Sequence, residues 1–101
     1  MLKHIVMMRF KSADKQIKTQ QMNKLKEMLY SLLDSIAVLD YLEVGFNLSK
    51  RSSAFDLVLL THFKSEKELD IYRTHPEHLK VLEFISEVIS ETAVVDYYIG
   101  D

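Results

Sequence analysis

The sequence has no cysteine. That absence excludes disulfides, thiolate catalysis and cysteine-ligated zinc. One proline, Pro76, and two glycines, Gly45 and Gly100, occur among 101 residues. So few turn-formers exclude a loop-rich or disordered chain. There is no phosphate loop, no dinucleotide fingerprint and no Ser–His–Asp order, and no motif implies a cofactor. No segment approaches the ~20 apolar residues of a membrane span. Met1 to Phe10 lacks the long apolar core and small-residue cleavage site of a signal peptide, so a cytoplasmic location is expected. The formal net charge is −2, with both signs interspersed. That excludes the basic footprint of a nucleic-acid binder, and no basic amphipathic stretch marks a membrane surface.

What is present is hydrophobic periodicity. The length suits one domain, residues 1–101, with one core. Residues 2–10 alternate as a strand with apolar side chains on both faces. Lys11 to Lys18 is polar, a loop or the start of a helix. Met22, Leu25, Met28, Leu29, Leu32, Leu33 and Ile36 fall at three- and four-residue spacing, predicting an amphipathic helix over 19–36. Tyr41 to Leu48 alternates as a second strand, and Phe55 to Phe63 as a third. The polar run Ser49 to Ser53 between them reads as a hairpin turn. Ser65 and Glu68 form a capping-box pattern before a short helix. Pro76 suits the first position of a further helix, which carries Leu79, Val81, Leu82, Ile85, Val88 and Ile89. Ala93 to Ile99 is the last strand.

The order is β-α-β-β-α-α-β. Helices on one face of a four-stranded antiparallel sheet give an α+β, ferredoxin-like fold. The second sheet face should then be polar in a monomer. Here the third strand is apolar on both sides, and the first and last are nearly so. A bare face of that kind implies pairing with a second copy into a dimeric α/β barrel, a homodimer through the sheet face.

Chemistry concentrates in Tyr72-Arg73-Thr74-His75-Pro76-Glu77-His78, which holds two of the four histidines and the only proline. On an unbroken helix, Tyr72 and His78 would point about 120° apart. The break at Pro76 lifts that constraint, so phenol and imidazole can meet at one cavity, walled by Leu25, Leu29, Leu82 and Ile85. An imidazole there is a candidate general base. A phenol can donate to a developing enolate or carbonyl oxygen. Structural roles stand beside these: a capping His75, a half-buried His78, a core Tyr72. A His75/His78 metal pair lacks a third ligand at any telling spacing, so no metal site is expected. His4 lies on the strand face of Val6 and Met8. His62 is placed at the surface or the dimer face. Asp56 is placed to pair with a histidine or to satisfy edge backbone.

Several runs together carry a family likeness: Lys3-His4-Ile5-Val6-Met7 with Arg9-Phe10, Leu42 to Asn47, Phe55 to Leu59, Phe63-Lys64-Ser65, Tyr72 with His75-Pro76-Glu77-His78, and Val95-Asp96-Tyr97. On these the chain resembles the stress-responsive dimeric α/β-barrel (Dabb) family over essentially its full length. The resemblance implies a ferredoxin-like protomer and a sheet-to-sheet dimer. One plant branch, similar to olivetolic acid cyclase, cyclises a linear polyketide by aldol chemistry without a cofactor. There the histidine matching His78 is the base, the tyrosine matching Tyr72 assists, and the histidine matching His4 lies by the pocket. This chain departs from that branch at Leu57, where the cyclase has a pocket histidine, and has its own lining residues such as Met28 and Leu29. The plant members also bind a cation through backbone carbonyls, here around Leu33, Ile36 and Leu39. The expected function is binding of a small apolar or aromatic molecule between sheet and helices, with His4 and His75 as further binding candidates. The alternative is a cofactor-independent cyclase or lyase using His78 and Tyr72. A weaker one is a cofactor-independent monooxygenase.

Overall fold

A computed structural model describes residues 1–100. Strand β1 (Leu2–Phe10) alternates buried and partly exposed residues along its whole length, so its period-two pattern has become two distinct sheet faces. Helix α1 (Lys15–Ser35) follows, then β2 (Tyr41–Phe46), β3 (Leu57–Phe63), α2 (Glu66–Thr74), α3 (Pro76–Val88) and β4 (Ile89–Tyr98). The strands form one antiparallel sheet in the order β2-β3-β1-β4. All three helices lie on one face. The ferredoxin-like α+β order expected from the sequence is the order found.

The core is the layer between helices and sheet. Leu25, Leu29 and Leu32 of α1 meet Val6, Met8 and Phe10 of β1 and Leu57, Leu59 and Phe63 of β3. Leu69 and Tyr72 of α2 and Val81 and Val88 of α3 complete it. The other sheet face carries Ile5, Met7, Val58, Leu60, Val95 and Tyr97, and among the described residues no element covers it.

Three boundaries and one cap differ from the sequence expectation. Helix α1 starts at Lys15, not Thr19, because the Asp14 carboxylate accepts from the Ile17 amide (3.0 Å) as its N-cap. The β2–β3 connection spans 47–56 and is longer than the expected turn. Asn47 takes the loop backbone for itself, donating to the Ser49 carbonyl (2.6 Å) and accepting from its amide (2.9 Å). Ser65 makes no side-chain bond to the backbone amides of the first turn of α2. Its hydroxyl donates to the Glu68 carboxylate, so the two capping-box partners satisfy each other. Helix α3 ends at Val88, and Ile89 turns extended at once, so β4 begins four residues earlier than the apolar run suggested. No glycine or proline marks that stop.

Candidate functional site

Tyr72 sits in the last turn of α2, wholly buried, its ring 5.0 Å from that of Phe63. Two residues on, the helix stops. His75 takes the extended backbone that a following proline requires (φ −64°, ψ 135°) and serves as N-cap of α3. Its Nδ1 accepts from the Glu77 amide at 3.1 Å. The ring expected to help bind a ligand is therefore occupied in the helix cap, outside the cleft. Pro76 opens α3, and His78 lies in its first turn. The break rotates the two side chains toward each other, and the Tyr72 and His78 rings stand 4.3 Å apart, tilted by 38°. His4 rises from β1 beneath them, edge-on to Tyr72 at 6.5 Å. The structure thus brings three of the four sequence candidates together.

They border a cleft of about 220 Å³ between α2, α3 and the sheet. Its remaining walls include Val6, Met8, Leu29, Leu59, Leu82 and Ile85. Leu25, expected as a wall, lies deeper in the core. Leu57 and Met28 line other parts of the molecule, and the carbonyl of Ile36 already accepts from the Leu39 amide at 3.1 Å.

The polar atoms of the cleft have defined states. His78 Nδ1 lies 3.1 Å from the Arg73 carbonyl. A carbonyl only accepts, so the neutral ring carries its proton on Nδ1 and presents Nε2 as a lone-pair acceptor. Burial pushes this imidazole below the ordinary histidine range. Electrostatic interaction with His4, Arg73 and His75 adds to that, and the bond to the Arg73 carbonyl opposes it. Neutral at pH 7, the ring is competent as a base. Burial alone holds the Tyr72 phenol well above the usual tyrosine range, so it is a proton donor. Its hydroxyl is buried and has no hydrogen-bond partner among the described residues.

Two residues of the site carried no functional reading in the sequence. Asp96 lies directly across from His4 in the β1–β4 ladder, and its Oδ1 meets His4 Nδ1. Its Oδ2 takes a bond from the Arg73 guanidinium at 3.2 Å. The usable signal was a single carboxylate on a strand face otherwise made of Val94, Tyr98 and Thr92. Asp56, the carboxylate that was considered, accepts from the Phe10 amide (2.8 Å) and faces Lys18, far from any histidine pairing. His62 lies on the uncovered sheet face, its ring 4.7 Å from that of Tyr41.

Two other depressions lie among the described residues. One of about 360 Å³, under the β2–β3 loop, is lined by Met7, Phe46, Phe55 and Val58 and holds no titratable side chain, so it offers no acid–base chemistry. The other, about 280 Å³, flanks the cleft across Arg73 and Asp96 and is bordered by Glu66 and Asp70. Among the described residues, no three His, Asp or Glu side chains are grouped to hold a metal, and no helix is long and apolar enough to cross a membrane.

Known structures share this arrangement of elements. A dimeric protein of unknown function with a ferredoxin-like fold from Bacteroides fragilis is 30% identical, with TM-score 0.87 over 95% of this chain and 93% of its own. A dimeric ferredoxin-like protein of unknown function from Thermobifida fusca is 19% identical, with TM-score 0.83 over 97% and 90%. A hydroxynitrile lyase from Passiflora edulis is also 19% identical, with TM-score 0.83 over 99% and 94%. At those lower identities the likeness is one of fold. No curated protein matches the sequence. The family model of the stress responsive A/B barrel domain matches residues 2–99. The chain belongs to that family.

Proposed function

We propose that the cleft binds a small, largely apolar or aromatic molecule carrying one carbonyl or hydroxyl oxygen. The observation that carries this is the Tyr72 hydroxyl, buried in the cleft wall without a partner. Leaving such a group unpaired costs about 1–3 kcal/mol. A ligand oxygen placed there recovers that cost, while the aliphatic walls take up the apolar body. The volume is below the ~300 Å³ at which drug-sized pockets begin, which favours a single ring over a long chain.

A second reading has its own observation. The Nδ1–H tautomer of His78, set by the Arg73 carbonyl, leaves a neutral Nε2 on a ring that lines the same cleft, the form a general base needs. His78 would remove an O–H or acidic C–H proton, and Tyr72 would donate to the oxygen on which charge develops. That is cofactor-independent chemistry of the aldol or lyase kind, and the lyase among the neighbours of this fold makes it a natural class to test. Nothing in the cleft favours a monooxygenase over these.

We infer further that two chains pair through their uncovered sheet faces. The apolar residues on that face and the dimeric neighbours support this.

A thermal-shift screen of benzaldehydes, phenols and small ketones tests the binding. A ligand at 100 times its Kd adds ~2.7 kcal/mol, a rise of several degrees. A hit must lose affinity in Tyr72→Phe. If no compound stabilises the protein, or Tyr72→Phe binds as well as the parent, the reading fails. Turnover of a hit that vanishes in His78→Gln while binding persists supports the second reading, and undiminished turnover overturns it.

A further inference from the structure

We infer that Arg73 is the positioning residue that orients both cleft imidazoles, His78 with its main chain and His4 with its side chain through Asp96. The proposal concerns the site described above. It rests on the binding and catalytic reading only for what the imidazoles are used for, and not for how they are held.

The geometry is a branched chain of contacts from one residue. The Arg73 carbonyl receives His78 Nδ1–H at 3.1 Å. The Arg73 guanidinium reaches Asp96 Oδ2 at 3.2 Å, and Asp96 Oδ1 reaches His4 Nδ1. A carboxylate only accepts, so it selects the Nδ1–H form of His4 just as a carbonyl selects it in His78. Both rings then turn a bare Nε2 away from their anchors. His4 and His78 flank Tyr72 on two sides, so one phenol donor and two imidazole acceptors share one small cleft.

The side-chain branch needs Arg73 because Asp96 is otherwise poorly held. Its carboxylate is partly exposed, on the edge strand β4. An aspartate there has several rotamers open to water. The guanidinium fixes one oxygen, and with it the direction of the other toward His4. Asp70 holds the guanidinium from the far side at 3.3 Å, one residue spacing of i,i+3 along α2. Arg73 is thus seated between two carboxylates, at the wall that separates the cleft from its polar neighbour. The main-chain branch needs no particular side chain at position 73, only the helix end that Pro76 enforces.

The division gives a test that needs no substrate. Long-range proton–nitrogen correlation spectra of the intact protein, taken well above the ordinary imidazole range, report each ring's tautomer. In the parent protein, both His4 and His78 are expected as single Nδ1–H forms. In Arg73→Gln, the His4 nitrogen shifts should move toward the averaged values of a free imidazole, while those of His78 stay in place. Arg73→Lys, which keeps the cation, should retain most of the His4 preference. Asp96→Ala removes the middle of the chain from β4, away from the helix junction, and should release His4 in the same way. His4 shifts that stay put in Arg73→Gln or in Asp96→Ala overturn the inference. So does an Arg73→Gln spectrum in which His78 moves as much as His4. Because these shifts are read without a ligand, they can fail while the ligand screen succeeds, and the reverse.

Discussion

A single hydroxyl sets the balance at the residue scale. Tyr72 is among the largest fully buried side chains, and its oxygen is unpaired. Tyr72→Phe removes the orphan and keeps the ring against Phe63. We expect the unliganded variant to gain about 1 kcal/mol, within the cost of an unmade buried hydrogen bond, while any oxygen-bearing ligand binds more weakly. Chemical denaturation with and without ligand checks both halves, and a less stable variant would show that the hydroxyl is already satisfied. His78 gives a pH dependence whose sign follows from its depressed value. As pH falls through about 6.5, the unfolded chain takes up the proton before the folded one. The contribution of this ring to stability is therefore fully present above that pH and declines below it, levelling off beneath the folded value. The slope of stability against pH between 7 and 5, roughly the range of imidazole titration, should be shallower in His78→Asn than in the parent. Equal slopes would mean that burial does not act on this ring. Tyr72 and His78 were legible in the sequence because their residue types carry chemistry and a proline stood between them, and His4 was legible beside the cleft only through the family resemblance. Asp96 and Arg73 were not, because their roles come from a cross-strand register and from a contact between α2 and β4. Arg73 leaves no local pattern, and Asp96 leaves only that of a lone carboxylate on its strand face.

The element that builds the site is the joint between α2 and α3. An extended His75 before Pro76 stops one helix and caps the next within a single residue. Its imidazole, in this position, does the work of a serine or aspartate cap. His75→Ala should cost about 1 kcal/mol, the usual loss of an N-cap, and His75→Ser should restore it. Ligand affinity at the cleft should be unchanged in both, because the ring points to the Glu77 amide. Thermal melts paired with titration of a screened ligand decide this, and an affinity loss larger than the stability loss would return His75 to the binding site. This joint was readable in advance, since proline acts locally on its predecessor. The start of β4 was not. Val88 and Ile89 are both apolar and both buried. One ends a helix and the next begins a strand, and only the ladder with Phe10 distinguishes them.

At the scale of the molecule, the helices protect one face of the sheet and leave the other bare. Val95 is 57% exposed, Tyr97 42% and Met7 38%, all on the face turned from the helices. Val58 and Leu60 continue the face on β3, on the side of β1 away from β4. Charged residues stand at the margins of the patch, with Arg9 bonded to Glu91 at one end and Lys3 and Glu43 toward the other. An apolar centre with a polar rim is the anatomy of a protein interface. The sequence carried this much, because a strand apolar on both faces needs cover on both. It could not say which residues meet, since that depends on how two twisted sheets align. Ile5→Lys places an ammonium between Leu60 and Val95 at the centre of the face, with no carboxylate opposite it, and its desolvation costs several kcal/mol, more than a rim contact can repay. The parent protein should run as a dimer by light scattering, with a melting temperature that rises with protein concentration. The variant should run as a monomer, or aggregate through the bare face, and any monomer should melt at a temperature independent of concentration. The cleft lies on the opposite side of the sheet, so monomers of Ile5→Lys should keep the His4 and His78 tautomers of the parent. A variant that remains a dimer would move the interface elsewhere, whereas a monomer whose imidazoles also lose their order would show that the second chain supports the cleft through the sheet.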